Sequence, residues 1–361
     1  MKDCESILTG DMAEYYAMIQ KAAYERMEPV KAVFELTPRC NFRCSMCYVR
    51  LDACDLPHIG RERSLKEWLD YGEQAKELGV LELSITGGEP FILSYFRELY
   101  EKLYSMGFLI QLYTNGYLID EDTVDWLKRF PPHAIRITLY GITDETYSRV
   151  CGMPDGFTKV SRAVMLLKNA GMPLYLVSTV TKENAGDFPD IYRFAQSSGL
   201  PIIHSSDLSE PVRGAKSDPD SHRLKQKLPD IDTILELRRK NTRYPRARCE
   251  DYLLVCSNYR RGFWITWNGK MQMCAFLTEP SVDTTDRPLC ECWKELNDMV
   301  SRLRQPEICL SCEYEGYCER CPGLLYPQLE PDGSVKKSFC ERARQKYLLY
   351  GAPTEELNNG N

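Results

Sequence analysis

Cys40-Asn41-Phe42-Arg43-Cys44-Ser45-Met46-Cys47-Tyr48 decides how the rest of this chain is read. Three cysteines stand at C-x3-C-x2-C spacing directly after an apolar run, Ala32 to Leu36. A tight loop of this kind brings three thiolates to one iron-sulfur cluster, and cubane clusters are held by cysteine thiolates. Only three cysteines are local, so one iron would stay open to a ligand from outside the protein. A zinc site or scattered buried cysteines is the competing reading, although zinc usually takes a fourth ligand in a recognisable pattern.

Around that loop the chain has 361 residues, enough for two cores. It is 43% hydrophobic and 27% charged, an ordinary globular composition. The net charge of −6 shows no basic footprint for nucleic acid. No run approaches the ~18 apolar residues of a membrane span. Met1 to Gln20 lacks the basic and apolar halves of a signal peptide, so the expected location is cytoplasmic. The stretch before Val30 reads as one helix, Cys4 to Met27, too short for a separate peptide-binding domain. Sixteen cysteines in a large chain without an export signal point to metal or redox chemistry, not disulfides.

From Lys31 strand and helix patterns alternate. Strands are expected at Ala32–Leu36, Leu81–Thr86, Phe108–Tyr113, Ala134–Tyr140, Leu174–Val180 and Pro201–His204. Helices are expected at Ser64–Leu78, Ser94–Ser105, Asp120–Arg129, Phe157–Asn169 and Phe188–Ser197. Ser64 and Glu67 form a capping-box signature. This order implies an α/β fold with a parallel sheet: a partial (βα)6 TIM-like barrel, with a doubly wound open sheet as the alternative. Each unusual motif follows a strand, on the face where barrel sites are built. Gly87-Gly88-Glu89-Pro90 follows the second strand and Thr114-Asn115 the third. Alone, each also reads as a plain turn.

Together these motifs resemble the radical S-adenosylmethionine (radical SAM) superfamily, over roughly residues 30 to 206. The resemblance implies that Cys40, Cys44 and Cys47 ligate a [4Fe-4S] cluster whose fourth iron takes S-adenosylmethionine. It further implies that Gly87, Gly88 and Glu89, with Pro90 closing the motif, hold the methionine ammonium. Tyr48 would pack near the adenine, and Thr114, Asn115 and Thr138 would contact ribose or carboxylate. An electron donor such as flavodoxin or ferredoxin would feed the cluster. Reductive cleavage would then give a 5′-deoxyadenosyl radical that abstracts a substrate hydrogen.

The C-terminal cysteines resemble a SPASM extension, a small cysteine-rich iron-sulfur domain containing a β-hairpin. Cys256, twelve residues, Gly269, four residues and Cys274 precede Cys309-x2-Cys312-x5-Cys318-x2-Cys321 and Cys340. The usual pattern has three residues where this chain has two, between Cys318 and Cys321. The resemblance implies two auxiliary clusters, one on Cys249, Cys256, Cys274 and Cys321, the other on Cys309, Cys312, Cys318 and Cys340. Three clusters in all are therefore expected. A zinc-ribbon pair is the competing reading, and Cys290-x-Cys292 is an alternative ligand source. Phe263–Trp267 and Lys270–Cys274 flank Asn268-Gly269, a two-residue hairpin signature. Little continuous apolar sequence surrounds it, so metal clusters rather than a core are expected to hold this region.

The expected organisation is an N-terminal helix (1–30), the partial barrel (31–206), a connection (207–248) with a helix at Ile231–Lys240, the auxiliary-cluster domain (249–345) and a tail (346–361). SPASM enzymes of this layout imply oxidative modification of a peptide or protein, with a separate leader-peptide-binding protein as a further partner. A sulfatase-maturing activity is the alternative. The acidic residue expected beside Cys274 for it is absent, since Ala275 and Phe276 follow. Oxidation of a small molecule and a purely electron-carrying role are the others. Tyr140, His204 and Asp207, at expected strand ends, are the acid–base candidates.

Overall fold

A computed structural model describes residues 12–206, 208–224, 256, 258–318 and 321–350. Cys4, Asp207, Ile231–Lys240 and Cys249 lie outside the described residues. Helix α1 is Met12–Arg26. Six parallel strands follow: β1 Lys31–Glu35, β2 Glu82–Thr86, β3 Leu109–Thr114, β4 Ala134–Thr138, β5 Leu174–Thr179 and β6 Ile202–Ser205. The helices between them are α2 Leu65–Glu77, α3 Phe96–Ser105, α4 Glu121–Arg129, α5 Asp144–Cys151, α6 Gly156–Asn169 and α7 Phe188–Ser197.

The strand order is β6-β5-β4-β3-β2-β1-β7-β8-β9. The first six strands therefore run round in chain order with no reversal. A doubly wound sheet would reverse its order at a switch point, so the partial-barrel expectation holds. Progression in one direction puts every crossover helix on one face and leaves the other as a lumen. Burial follows this division. Ile110 and Leu112 of β3, Ile135 and Ile137 of β4, and Leu174 and Leu176 of β5 are buried in the helix-side core. Gln111, Tyr113, Arg136, Thr138 and Val177 alternate with them and are half-buried on the lumen face.

The helices form where caps and apolar faces coincide. Ser64 accepts from the Glu67 amide while Glu67 reaches back to the Ser64 amide, the expected capping box. Trp68 of α2 then packs on Phe34 of β1, ring centroids 5.2 Å apart. Helix α5 was absent from the sequence reading. Thr143 caps its start and Gly152, at φ 67°, ends it.

Strand β7, Gly262–Ile265, pairs parallel with β1, and β8, Lys270–Gln272, turns back on it. A two-residue Asn268-Gly269 turn is corrected to a three-residue loop. Thr266 donates to the Lys270 carbonyl and closes Trp267-Asn268-Gly269, with Gly269 at φ 81°. The expectation of a C-terminal region with little core is also corrected. Phe263, Ile265, Met271 and Met273 join one core with the barrel, as do Trp293 and Leu296 of α8 (Leu289–Ser301). The two-residue strand β9, Val282–Asp283, ends the sheet, and α9 spans Lys337–Tyr350. Among the described residues no helix is long and apolar enough to cross a membrane.

Candidate active site

The cysteine loop leaves β1 at the C-terminal mouth of the barrel and is held from two sides. Helix α5 ends against it: the Arg43 amide donates to the Cys151 carbonyl (2.8 Å) and the Ser45 amide to that of Val150 (3.0 Å). The missed helix thus clamps the site, and its sequence signal was the Thr143 cap with Gly152 beyond its end.

On the other side lies Gly87-Gly88-Glu89. The Gly88 amide donates to the Thr37 carbonyl (2.6 Å) and the Glu89 amide to that of Arg39 (2.9 Å). A Cβ on Gly88 would sit 2.1 Å from the Arg39 carbonyl oxygen. The glycine therefore permits a close approach of two chain segments, one of them entering Cys40.

Glu89 is fully buried. Its carboxylate accepts from the Phe91 amide (3.1 Å), the Thr114 hydroxyl (2.8 Å) and the Asn115 amide (2.7 Å). Burial pushes its pKa up to about 7 despite these donors. Asn115 reaches on to the cysteine loop, its Nδ2 donating to Asn41 Oδ1 (2.7 Å) and lying 3.7 Å from Cys40 Sγ. Three expected cofactor contacts, Glu89, Thr114 and Asn115, are thus brought together as a brace behind Cys40. Pro90 is buried at the start of a short helical turn, and Thr138 faces the lumen.

The thiols sit among donors. Cys40 Sγ accepts from the Phe42 amide at 3.3 Å. The buried Cys151 thiol donates to Cys44 and, as the largest influence, holds the Cys44 pKa below the ordinary thiol range. Burial pushes Cys47 up to about 11. A cavity of about 240 Å³ borders Cys44, Cys47 and Arg50. Among the described residues no three His, Cys, Asp or Glu side chains converge closely enough for a single metal ion. A loop of three thiols supplied with N–H donors suits a polynuclear cluster, whose sulfurs are tuned by such bonds.

The barrel mouth is shared with the C-terminal cysteines. The Tyr48 ring meets Phe276 at 5.0 Å, edge to face, and burial drives its phenol pKa well up. Phe276 stands two residues beyond Cys274. A Cβ on Gly323 would lie 2.9 Å from Cys274 Sγ, which puts Cys274 against the segment that begins at Cys321. Cys256 lies near enough for Cys274 to raise its pKa, after the larger effect of burial. Cys340 is influenced by Cys312 in the same way. Cys309 is buried, and Cys318 packs beside Leu325 and Phe339. Cys292, by contrast, is buried in the main core with its thiol on the Asp283 carbonyl, and Cys290 is exposed on the same helix. The structure therefore keeps Cys290-x-Cys292 out of the cysteine groups.

Across the mouth, Arg213 donates to Glu35 (2.6 Å) and to the Ala275 carbonyl (2.8 Å), while Trp264 Nε1 donates to Glu35 (3.2 Å). This buried pair ties the segment after β6 to both β1 and the hairpin.

The acid–base candidates separate. Tyr140 is half-buried beside Cys44, and burial, with the neighbouring thiols, raises its pKa well above the usual range. His204 is corrected: it faces the helices, its ring 5.1 Å from Phe188, while Ile203 and Ser205 take the lumen face. One residue of strand parity decides this.

A one-directional parallel half-barrel thus carries three cysteine thiols at its first strand end, braced by a Gly-Gly-Glu turn. Residues 34–195 match the Radical SAM superfamily, and the chain carries that domain. Over 171 residues it is 30% identical to the PqqA peptide cyclase of Granulibacter bethesdensis, covering 47% of this chain and 45% of that protein. The match spans just under half the length of this relative. Over 326 residues it is 23% identical to the AdoMet-dependent heme synthase of Methanosarcina barkeri, covering 82% of this chain and 92% of the relative. The fold resembles that of Streptococcus suis SuiB bound to precursor peptide SuiA, with TM-score 0.62, 18% identity, and coverage of 92% and 82% of the two chains.

Proposed function

We propose that this radical SAM enzyme oxidatively modifies a side chain of a peptide or protein. Cys40, Cys44 and Cys47 would hold a [4Fe-4S] cluster. Gly87, Gly88 and Glu89 would form the cradle for S-adenosylmethionine, with Tyr48, Thr114, Asn115 and Thr138 around it. When bound, the cluster and S-adenosylmethionine supply one-electron hydrogen-atom abstraction. The chain's own residues orient and enclose: Tyr48 and Phe276 close the mouth, the half-buried lumen face receives substrate, and the Arg213–Glu35 pair fixes the roof.

The observation that carries the oxidative reading is the Tyr48–Phe276 contact. It joins the residue after Cys47 to the residue two beyond Cys274, so the two cysteine regions share one wall. Two auxiliary clusters, on Cys249, Cys256, Cys274 and Cys321 and on Cys309, Cys312, Cys318 and Cys340, would give a substrate electron a way out. A flavodoxin or ferredoxin is proposed as donor, and a separate leader-binding protein as a partner. A second reading, oxidation of a small molecule, is favoured by the match to the heme synthase over 82% of this chain and 92% of that protein.

The test is anaerobic turnover of reconstituted protein with S-adenosylmethionine, dithionite and peptides encoded beside its gene. The proposal expects one peptide, two hydrogens lighter, per 5′-deoxyadenosine formed: one hydrogen atom passes to the 5′-deoxyadenosyl carbon, and the second leaves as a proton and an electron. Turnover stimulated by a tetrapyrrole and by no peptide selects the second reading.

A further inference from the structure

Tyr113, Arg136 and Tyr175 lie directly opposite one another on β3, β4 and β5. All three take the lumen face. The Arg136 guanidinium carbon is 5.6 Å from the Tyr113 ring centre and 5.2 Å from that of Tyr175. The cation therefore lies within cation–π reach of both rings. Its Nε donates to Gln111 Oε1 (3.4 Å), and Gln111 Nε2 donates to Glu82 (3.1 Å). Glu82 in turn faces Lys31 at 3.8 Å. The nearest acid on this chain of contacts is thus matched by Lys31 and reaches Arg136 only through an amide.

What remains of Arg136 is its in-plane edge, Nη1 and Nη2, for which no described residue supplies an acceptor. An arginine held by two flanking rings and by its Nε, with its outer edge open, is pre-organised for a two-point grip on a carboxylate. It stands two residues below Thr138, about 7 Å deeper than the barrel mouth. A half-buried cation in such a place is stabilised by an anion that the described residues do not provide.

We infer that Arg136 anchors the substrate. The lumen receives an aspartate or glutamate side chain of the peptide, gripped by Arg136 and flanked by the Tyr113 and Tyr175 rings. This rests on the peptide-modifying reading and names the substrate class within it. Arg136 is a binding residue, and it takes no part in the hydrogen abstraction.

The experiment uses the reconstituted holoprotein, immobilised anaerobically, and a randomised heptapeptide pool blocked at both ends. Retained peptides are sequenced by mass spectrometry. Wild type should enrich Asp and Glu about tenfold over the input, the scale of one charge-assisted pair. Arg136→Gln should lose that enrichment, and Arg136→Lys should retain part of it. Arg162→Gln removes an outward-facing charge that pairs with Glu121 on the helix layer, and should keep the enrichment in full. Should Arg136→Gln not fold, as judged by iron content and circular dichroism, glutarate and glutaramide are compared on wild type. Only glutarate should displace the retained acidic peptides. No acidic enrichment, equal enrichment in Arg136→Gln, equal loss in Arg162→Gln, or equal displacement by both competitors overturns the inference. Formation of 5′-deoxyadenosine by the same wild-type preparation separately tests the radical reading.

Discussion

Gly88→Ala is the substitution whose consequence follows most directly from the site. The added Cβ would lie 2.1 Å from the Arg39 carbonyl oxygen, 2.6 Å from its carbon and 3.0 Å from the Pro38 oxygen. All three are backbone atoms, so no side chain can swing aside. The strand-to-loop segment must retreat by about 1.3 Å to reach ordinary contact. That movement breaks the Gly88–Thr37 and Glu89–Arg39 backbone bonds, each worth ~1 kcal/mol net. Overpacking adds ~1–3 kcal/mol. The total is ~3–5 kcal/mol, and Cys40, the next residue after Arg39, moves too. Metal sites tolerate far smaller displacements, on the order of 0.5 Å. Urea unfolding and iron analysis of the anaerobically reconstituted protein should show a large stability loss and a loss of iron from this loop. Gly186→Ala is the control, since nothing lies within 4 Å of its added Cβ, and it should be near neutral. If Gly88→Ala unfolds with wild type and binds the same iron, the two segments are not docked as described.

Three further outcomes are expected. Glu89 has its pKa raised from 4.5 to about 7, so the stability it lends is fully present below about pH 4.5 and is lost as pH rises through about 7. Glu89→Gln should remove that dependence. The wild-type minus variant difference should fall by about 2 kcal/mol between about pH 5.5 and pH 8, and parallel unfolding curves would contradict the assignment. Glu35→Ala leaves the buried Arg213 without its anion and should cost ~3–5 kcal/mol in urea unfolding, whereas Glu35→Leu with Arg213→Met should be nearly neutral. His204→Gln should leave kcat within about twofold while lowering the melting temperature, because the ring packs on Phe188. A large loss in kcat with unchanged melting would restore His204 as a site residue.

Local signals were the legible ones. The capping box at Ser64 and Glu67 and the apolar runs located elements to within a few residues. The strand–helix alternation placed the motif loops at one mouth. Three things were not legible, for different reasons. Pairing of β7 with β1 joins residues far apart in sequence, and neither strand's pattern names its neighbour. It moved the hairpin into the main core, so apolar packing with the barrel holds part of the C-terminal region. The direction of His204 turned on one residue of strand register, finer than boundary readings from pattern. Helix α5 is short, and its polar start, Thr143-Asp144-Glu145, reads equally as a loop. Only its contacts with Arg43 and Ser45 show why it forms. For the site, residue types and spacing pointed to the chemistry of the three thiols. The brace of Glu89 with Thr114 and Asn115 appeared only when three strand ends were seen side by side.

The central claim is that Cys40, Cys44 and Cys47 hold a cluster that activates S-adenosylmethionine. The most direct measurement is 5′-deoxyadenosine formed by the anaerobically reconstituted protein with dithionite and S-adenosylmethionine. Wild type holding about twelve irons per chain should release it, and the Cys40→Ala, Cys44→Ala, Cys47→Ala triple variant should release none while keeping roughly eight irons. No 5′-deoxyadenosine from fully loaded wild type, or undiminished product from the triple variant, would contradict the claim.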